Sequence, residues 1–118
     1  MQLNDIMQNQ NFVVLGNTIE EEKYAAKIKN NLIKNNYTAV GVSKELKSIN
    51  DVDYDIDVLV LCIHPSQTLR YLTECNKQIK SVVIQPGAES EEIYEYLNSK
   101  NIPWINGCVL VGLSLYKK

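Results

Sequence analysis

The sequence has no long apolar run and no excess of positive charge. None of its apolar stretches approaches the roughly 18 residues of a membrane-spanning helix, and residues 1–10 lack the basic-then-apolar pattern of a signal peptide. Its 12 basic and 14 acidic side chains give a net charge of −2, which argues against general affinity for nucleic acid. We therefore expect a cytoplasmic protein with no nucleic-acid or membrane partner.

Cysteine is also scarce. The three residues, Cys62, Cys75 and Cys108, are odd in number, and no two of them form a C-x-x-C pair. This pattern argues against a disulfide framework and against a zinc site. We expect free thiols in a reducing compartment.

The familiar catalytic motifs are missing. The chain has no G-x-S-x-G and no G-x-x-x-x-G-K, and no metal-ligand spacing is visible. The single histidine, His64, has no nucleophile that the sequence can pair with it. We therefore expect a binding protein rather than an enzyme, with no catalytic residues and no metal.

What the sequence does contain is a regular alternation of short apolar runs and amphipathic stretches. The continuous apolar run DVLVLCI is typical of a strand that is covered on both faces, whereas residues 24–33 repeat apolar side chains at helical spacing. Segment 108–115 is apolar and ambiguous between helix and strand. The predicted strands are residues 12–15, 37–42, 57–63, 81–85 and 103–105. The predicted helices are residues 20–35, 67–77 with Ser66 as the N-cap, and 90–99.

Strands that alternate with helices predict parallel pairing with right-handed crossovers. The 118 residues suit one compact domain. We therefore predict an α/β fold, a single doubly wound domain over residues 1–118 with about five mostly parallel strands, helices on both faces and a polar lead-in over residues 1–10. Ligands of such sheets bind at the carboxyl ends of the strands, here residues 16–23, 42–44, 63–66, 85–87 and 106–108.

The first of these strand ends, GNTIEEEKY, combines a phosphate-binding feature with an obstacle. Gly16 lets the backbone approach a phosphate, and a helix N-terminus attracts anions. Three glutamates, residues 20–22, follow it. If they open the helix and face water, Gly16, Asn17 and Thr18 remain able to bind a pyrophosphate with Lys23 nearby. If they point into the cleft, they repel it.

The strand ends resemble a known family. The segments VVLGNT, KYAAKIKNNLIKNNYTAVGVSKE, QPGAESEEIYEYL and PWINGCVLVGL follow one another as in the small stand-alone CoA-binding proteins. The Rossmann-like domain of these proteins is related to the CoA-binding domain of the succinyl-CoA synthetase α subunit. The resemblance covers about residues 10–115. It implies that Gly16, Asn17 and Thr18 surround the CoA pyrophosphate and that Lys23 and Tyr24 open the helix beside it.

The same resemblance implies that Val42, Ser43 and Lys44 line the adenosine 3′-phosphate and ribose. The residue chemistry agrees, since a cation is wanted beside a phosphorylated ribose. NAD-binding proteins usually carry an acid at this position to hold the ribose hydroxyls. Here Ser43 and Lys44 come first and Glu45 only afterwards, which favours CoA.

Two further strand ends complete the implied site. His64 and Pro65 would lie near the nucleotide, and Gln85 and Gly87 would lie towards the pantetheine arm. Cys108 is either a small core residue or a thiol close to that of CoA.

Three functions compete. The first is a CoA or acyl-CoA binding protein without catalysis, such as a carrier, sensor or regulator. The second is an NAD(P)-binding redox sensor or enzyme, against which the single glycine and Lys44 both count. The third is a Rossmann-like interaction module without a ligand, favoured by the three glutamates. The apolar segment 109–116 is a candidate surface for a homodimer.

Overall fold

Five parallel strands form one sheet in the computed structural model, which describes residues 1–118. The strand order is β2-β1-β3-β4-β5, and every neighbouring pair is parallel. The strands are β1 (Asn11–Gly16), β2 (Thr38–Ser43), β3 (Val58–Leu61), β4 (Val82–Ile84) and β5 (Trp104–Asn106). The predicted doubly wound α/β fold is confirmed.

Five helices surround the sheet, and a 3₁₀ turn (Ile49–Asp51) lies in the β2–β3 connection. The helices are α1 (Leu3–Ile6), α2 (Tyr24–Lys34), α3 (Pro65–Glu74), α4 (Glu91–Ser99) and α5 (Val109–Tyr116). None of them is long and apolar enough to cross a membrane.

The two faces of the sheet have separate cores, because successive residues of a strand point to opposite sides. In β1, Val13 and Leu15 pack with residues of α3 and α4, whereas Phe12 and Val14 pack with residues of α2 and α5. All four residues of β3 are buried. The covering of this strand on both faces, expected from its continuous apolar run, is therefore confirmed.

Some element boundaries differ from the predicted ones. Helix α2 begins at Tyr24 rather than near residue 20. Helix α3 begins at Pro65, and its N-cap is His64 rather than Ser66, because the His64 ring accepts the amide proton of Ser66 itself. The ambiguous segment near the C-terminus is helix α5, whose Val109 and Leu113 cover the sheet.

The N-terminal segment contributes to the core. It contains the short helix α1, and Ile6 and the following Met7 are fully buried beside α5. The Met7 carbonyl accepts a 2.7 Å hydrogen bond from the buried Tyr37 hydroxyl. The polar composition of residues 1–10 concealed this packing, because the apolar side chains there are few and lie among polar ones.

The strand order reverses between β1 and β3. From β1 the chain proceeds through α2 to β2 at one edge, and after β2 it returns to β3 on the other side of β1. The helices that follow β1 and β3 therefore lie on opposite faces. A crevice opens between their N-terminal ends, which is where such sheets bind their ligands.

Candidate functional site

A cavity of about 280 Å³ occupies this crevice. We call it the strand-end cleft. Its lining comes from the carboxyl ends of β1, β3 and β4 and from the start of α2. It consists of Asn17, Lys23, Tyr24, Ala25, Cys62, Ile63, His64, Pro86, Gly87 and Ala88. The lining contains one lysine and no carboxylate, so its charge suits an anion.

A second, more enclosed space adjoins the cleft. This inner cavity of about 230 Å³ is lined by Tyr24, Cys62, Gln85, Pro86 and Cys108. Three of these residues also line the strand-end cleft. The two spaces therefore adjoin one another across Tyr24, Cys62 and Pro86.

The turn after β1 is tight because β3 lies against it. A Cβ at Gly16 would stand 2.3 Å from the Cys62 carbonyl oxygen and 2.8 Å from the Ala25 Cβ. Only glycine fits this distance. Gly16 thus brings the backbone of the turn against both the end of β3 and the first turn of α2.

The N-terminus of α2 is left without a cap. Lys23 precedes the helix, and no side chain accepts a hydrogen bond from its first turn. In contrast, His64 caps α3 and Ser90 caps α4. The free amides and the positive end of the helix dipole therefore point towards the side of the cleft where Lys23 and Tyr24 lie.

The three glutamates do not enter the cleft. Residues 20–22 precede α2 in an exposed turn and are absent from the lining. The Glu20 carboxylate accepts a hydrogen bond from the Asn17 amide group, and Asn17 Oδ1 accepts the amide protons of Ile19 and Glu20. The prediction that these acids open the helix is wrong, but their orientation towards solvent keeps their three charges out of the cleft lining.

Lys23 and Tyr24 both face the cleft. Their side chains are exposed, and the Tyr24 ring is 67% accessible. Lys27 Nζ lies 5.5 Å from the centroid of this ring. The Tyr24 ring therefore lies beside the positive charges of Lys23 and Lys27 at the start of α2.

The Thr18 side chain points into the protein and does not line the cleft. Its side chain is buried, and Oγ1 donates a 2.6 Å hydrogen bond to Glu45 Oε1, which also pairs with Lys29. Gly41 permits this arrangement, because a Cβ there would lie 1.9 Å from Thr18 Oγ1. The resulting network ties the turn after β1 to α2 and to the segment after β2, and it leaves the Thr18 hydroxyl and Glu45 unavailable to a ligand.

This network makes the stability of the fold sensitive to acid. Burial by itself would raise the pKa of Glu45, but hydrogen bonds from Lys29 and Thr18 and the Lys29 charge outweigh it and hold that pKa below 4.5. A carboxyl group whose pKa is lowered in the folded state stabilises the fold above its unfolded pKa, and this stabilisation is lost as the pH falls through its folded pKa.

We expect Glu45→Gln to cost about 1 kcal/mol of folding stability at pH 7 and progressively less below pH 4.5. Denaturant unfolding at a series of pH values measures this difference. Glu22→Gln, on an exposed side chain, is the matched control, and a Glu45→Gln cost that stays constant down to pH 3 would contradict the assignment.

The end of β2 stands apart from the cleft. Val42 is fully buried in the core, so it can offer a ligand only its backbone. Ser43 adopts a φ of 119° and donates its N–H to the Leu46 carbonyl at 2.7 Å. Lys44 is exposed and forms no ion pair. Of these three residues, Lys44 alone presents a charge to solvent.

His64 and Pro65, the two site residues predicted after β3, line different cavities. His64 lines the cleft, and its Nδ1 accepts the Ser66 amide proton at 3.2 Å. Pro65 is the first residue of α3 and lines a neighbouring cavity with Ser90 and Glu92. His64 is thus the member of the pair that faces the cleft.

Gln85 and Gly87, predicted after β4, have distinct roles. Gln85 is buried and lines the inner cavity, where its Oε1 accepts the Val109 N–H at 2.8 Å. Gly87 lines the cleft with a φ of 91°, and no atom would contact an added Cβ. Its N–H donates to the Glu89 carboxylate at 3.0 and 3.2 Å.

Five lining residues were not among the predicted site residues, although the second and third of the following lie within the predicted strand-end ranges 63–66 and 85–87: Cys62, Ile63, Pro86, Ala25 and Ala88. Cys62 was not predicted to line the site because the apolar run continues to Ile63, whereas β3 ends at Leu61. The end of a hydrogen-bonded strand inside an apolar run leaves no mark in the sequence.

A larger cavity, of about 360 Å³, lies at the opposite end of the sheet. This amino-end cavity is bounded by Cys75 and Lys100, the C-caps of α3 and α4. The negative ends of two helix dipoles meet there. Two lysines line it, but Lys77 Nζ already donates to the Val52 and Tyr54 carbonyls at 2.6 and 2.9 Å. No group of three or more His, Cys, Asp or Glu side chains in residues 1–118 is arranged to hold a metal.

The strand order and the strand-end cleft define the class of the protein, a small Rossmann-like α/β domain. The family model described as a CoA binding domain matches residues 10–114. The chain therefore belongs to the CoA-binding domain family. No curated protein matches the sequence.

Solved structures agree with this assignment of the fold. A conserved hypothetical protein from Pyrococcus furiosus shares 25% identity with a TM-score of 0.79, covering 87% of this chain and 98% of its own. A Thermus thermophilus structure shares 21% identity with a TM-score of 0.86, covering 97% and 98%. A hypothetical protein from Pyrococcus horikoshii shares 18% identity with a TM-score of 0.84, covering 98% and 92%.

Proposed function

We propose that this protein binds CoA or acyl-CoA in the strand-end cleft and acts as a non-catalytic carrier, sensor or regulator. The observation that carries the proposal is the uncapped N-terminus of α2, which opens into a cleft lined by a lysine and no carboxylate. Membership of the CoA-binding domain family supports the choice of ligand.

The residues fit the phosphate portion of such a ligand. Gly16 keeps the turn close to the cleft, and the first amides of α2 have no other acceptor. Lys23 adds a positive charge beside them. We assign the pyrophosphate to this position. The Asn17 side-chain oxygen already accepts two backbone amide protons, so Asn17 shapes the turn and does not contact the ligand through this oxygen. We assign His64 and Gly87 to the far wall of the cleft.

The end of β2 supports CoA over NAD. Glu45, the nearest acid, is occupied by Lys29 and Thr18, so it is not free to bind the two ribose hydroxyls. Lys44 is exposed and unpaired. We assign it to the 3′-phosphate. The same lysine would also suit the 2′-phosphate of NADP, and the match to the CoA binding domain is what favours CoA. The ligand-free module loses its support, because the glutamates of residues 20–22 lie outside the cleft.

A thermal-shift comparison of CoA, dephospho-CoA, NADP and NAD tests the proposal. A ligand present at a hundred times its dissociation constant adds about 2.7 kcal/mol to the stability of the fold. We expect CoA to raise the melting temperature most, dephospho-CoA less, and NAD least. The absence of any shift with CoA would refute the proposed function.

Replacing Lys44 with alanine is expected to weaken CoA binding selectively. Loss of one exposed phosphate contact costs about 1 kcal/mol, or roughly fivefold in affinity, whereas dephospho-CoA should bind as before. Calorimetric titration of both ligands measures the ratio. Lys47→Ala, which removes the same charge from an exposed position in the same segment, is the control. Equal losses for the two ligands would remove Lys44 from the 3′-phosphate site.

A further inference from the structure

Two cysteines share the inner cavity. Cys62 and Cys108 line it together with Tyr24, Gln85 and Pro86. The cavity is contiguous with the strand-end cleft through Tyr24, Cys62 and Pro86. A ligand whose phosphates lie at the start of α2 would therefore lie beside the cavity that both thiols line.

The fold holds these thiols on the same face of the sheet. Cys62 follows β3 and packs against the core that contains α2 and α5. Cys108 immediately precedes α5, whose start is fixed by the bond from Val109 N–H to Gln85 Oε1 at 2.8 Å and by the bond from Gly107 N–H to the Ile84 carbonyl at 3.0 Å. The position of both cysteines is therefore determined by the strand ends rather than by a mobile loop.

We propose that Cys62 and Cys108 form a thiol pair that exchanges with a disulfide of CoA bound in the adjoining cleft. The proposal rests on the proposed function, because the cleft supplies the specificity for the CoA disulfide. It adds a thiol–disulfide exchange reaction to the proposed binding of CoA.

The two cysteines have different parts in the exchange. Cys108 is the N-cap residue of α5, and its thiol is not engaged in a capping hydrogen bond. Burial, with a smaller contribution from the neighbouring Cys108, raises the pKa of Cys62 to about 11. Since the thiolate is the nucleophile, Cys108 reacts first and Cys62 second.

The steps balance without another reagent. The Cys108 thiolate attacks one sulfur of the CoA disulfide, whose S–S bond breaks and releases one CoA thiolate. Cys62 then gives up its proton to solvent and attacks the Cys108 sulfur, which releases the second CoA. Two protein thiols are oxidised to one disulfide, and one CoA disulfide is reduced to two molecules of CoA.

Intact-mass measurement after incubation with CoA disulfide tests this reaction. The wild type should lose two hydrogen atoms and retain no CoA. Cys62→Ser should retain one CoA, located at Cys108 by peptide mapping, and Cys108→Ser should react at least about tenfold more slowly than the wild type. Cys75→Ser should behave as the wild type, because Cys75 lies at the amino-end cavity and donates to the Lys77 carbonyl.

Glutathione disulfide is the comparison reagent, and it should react at least about tenfold more slowly than CoA disulfide with the wild type. Equal rates, an adduct at Cys75 or the same product from the wild type and Cys62→Ser would each overturn the proposal. The CoA thermal shift of Cys62→Ser/Cys108→Ser separates the two claims. If that shift persists while the wild type does not exchange, the thiol pair is wrong and CoA binding stands. If the shift is also absent in the wild type, both fail.

Discussion

Replacing Gly16 with alanine is expected to destabilise the fold by about 3 kcal/mol and to abolish CoA binding. The added Cβ would stand 2.3 Å from the Cys62 carbonyl oxygen and 2.8 Å from Ala25 Cβ. Both neighbours belong to the packed sheet and to the first turn of α2, so neither can move without disturbing the cleft. The clash therefore acts on stability and on the site together.

Chemical denaturation measures the loss of stability, and calorimetric titration with CoA measures the loss of binding. Gly107→Ala is the matched control, since its added Cβ would meet only Ile105 and Leu3 side-chain atoms at 3.8 Å. We expect this control to unfold and bind as the wild type does. A Gly16→Ala protein of unchanged stability would show that β1 and β3 do not approach as closely as described.

Replacing Lys23 with glutamate is expected to reduce CoA affinity at least about tenfold, because two unit charges 4 Å apart interact by about 1 kcal/mol in water and about 4 kcal/mol near a protein surface. The substitution changes the charge of the cleft by two units. It should leave the fold as stable or slightly more so, since an acid at a helix N-terminus complements the dipole. Binding and stability would therefore move independently.

Lys34→Glu is the matched control for this experiment. It makes the same change of charge at the other end of the 11-residue helix α2, about 16 Å away and beyond the Debye length of about 10 Å at 0.1 M salt. Titration of both variants with CoA at that salt concentration should show the loss only for Lys23→Glu. Equal losses would place the phosphates away from the start of α2.

Much of the fold could be predicted from the order of apolar runs. The run DVLVLCI identified the central strand β3, and the helical spacing after Gly16 identified α2. The start of α2 could not be predicted, because Glu20 to Glu22 are good helix formers. Their position in a turn depends on Asn17, whose side chain accepts two backbone protons there.

The location of the site could be predicted from the sequence, but the directions of its side chains could not. The rule of strand ends identified the region that contains Lys23, His64 and Gly87. Thr18 and Val42 occupy the predicted region, yet their side chains point inward. Thr18 does so because it meets Glu45 across Gly41, a contact between residues distant in sequence. Such directions follow from tertiary packing, which a single sequence does not display.

The most direct test of the account is an amide NMR titration of the wild type with CoA. We predict that chemical shifts change at Asn17, at residues 23–25, at residues 62–64 and at Gly87, which line the strand-end cleft. Signals from the amino-end cavity should stay in place. Unchanged spectra, or changes confined to the amino-end cavity, would contradict the claim that this domain binds CoA at the carboxyl ends of its strands.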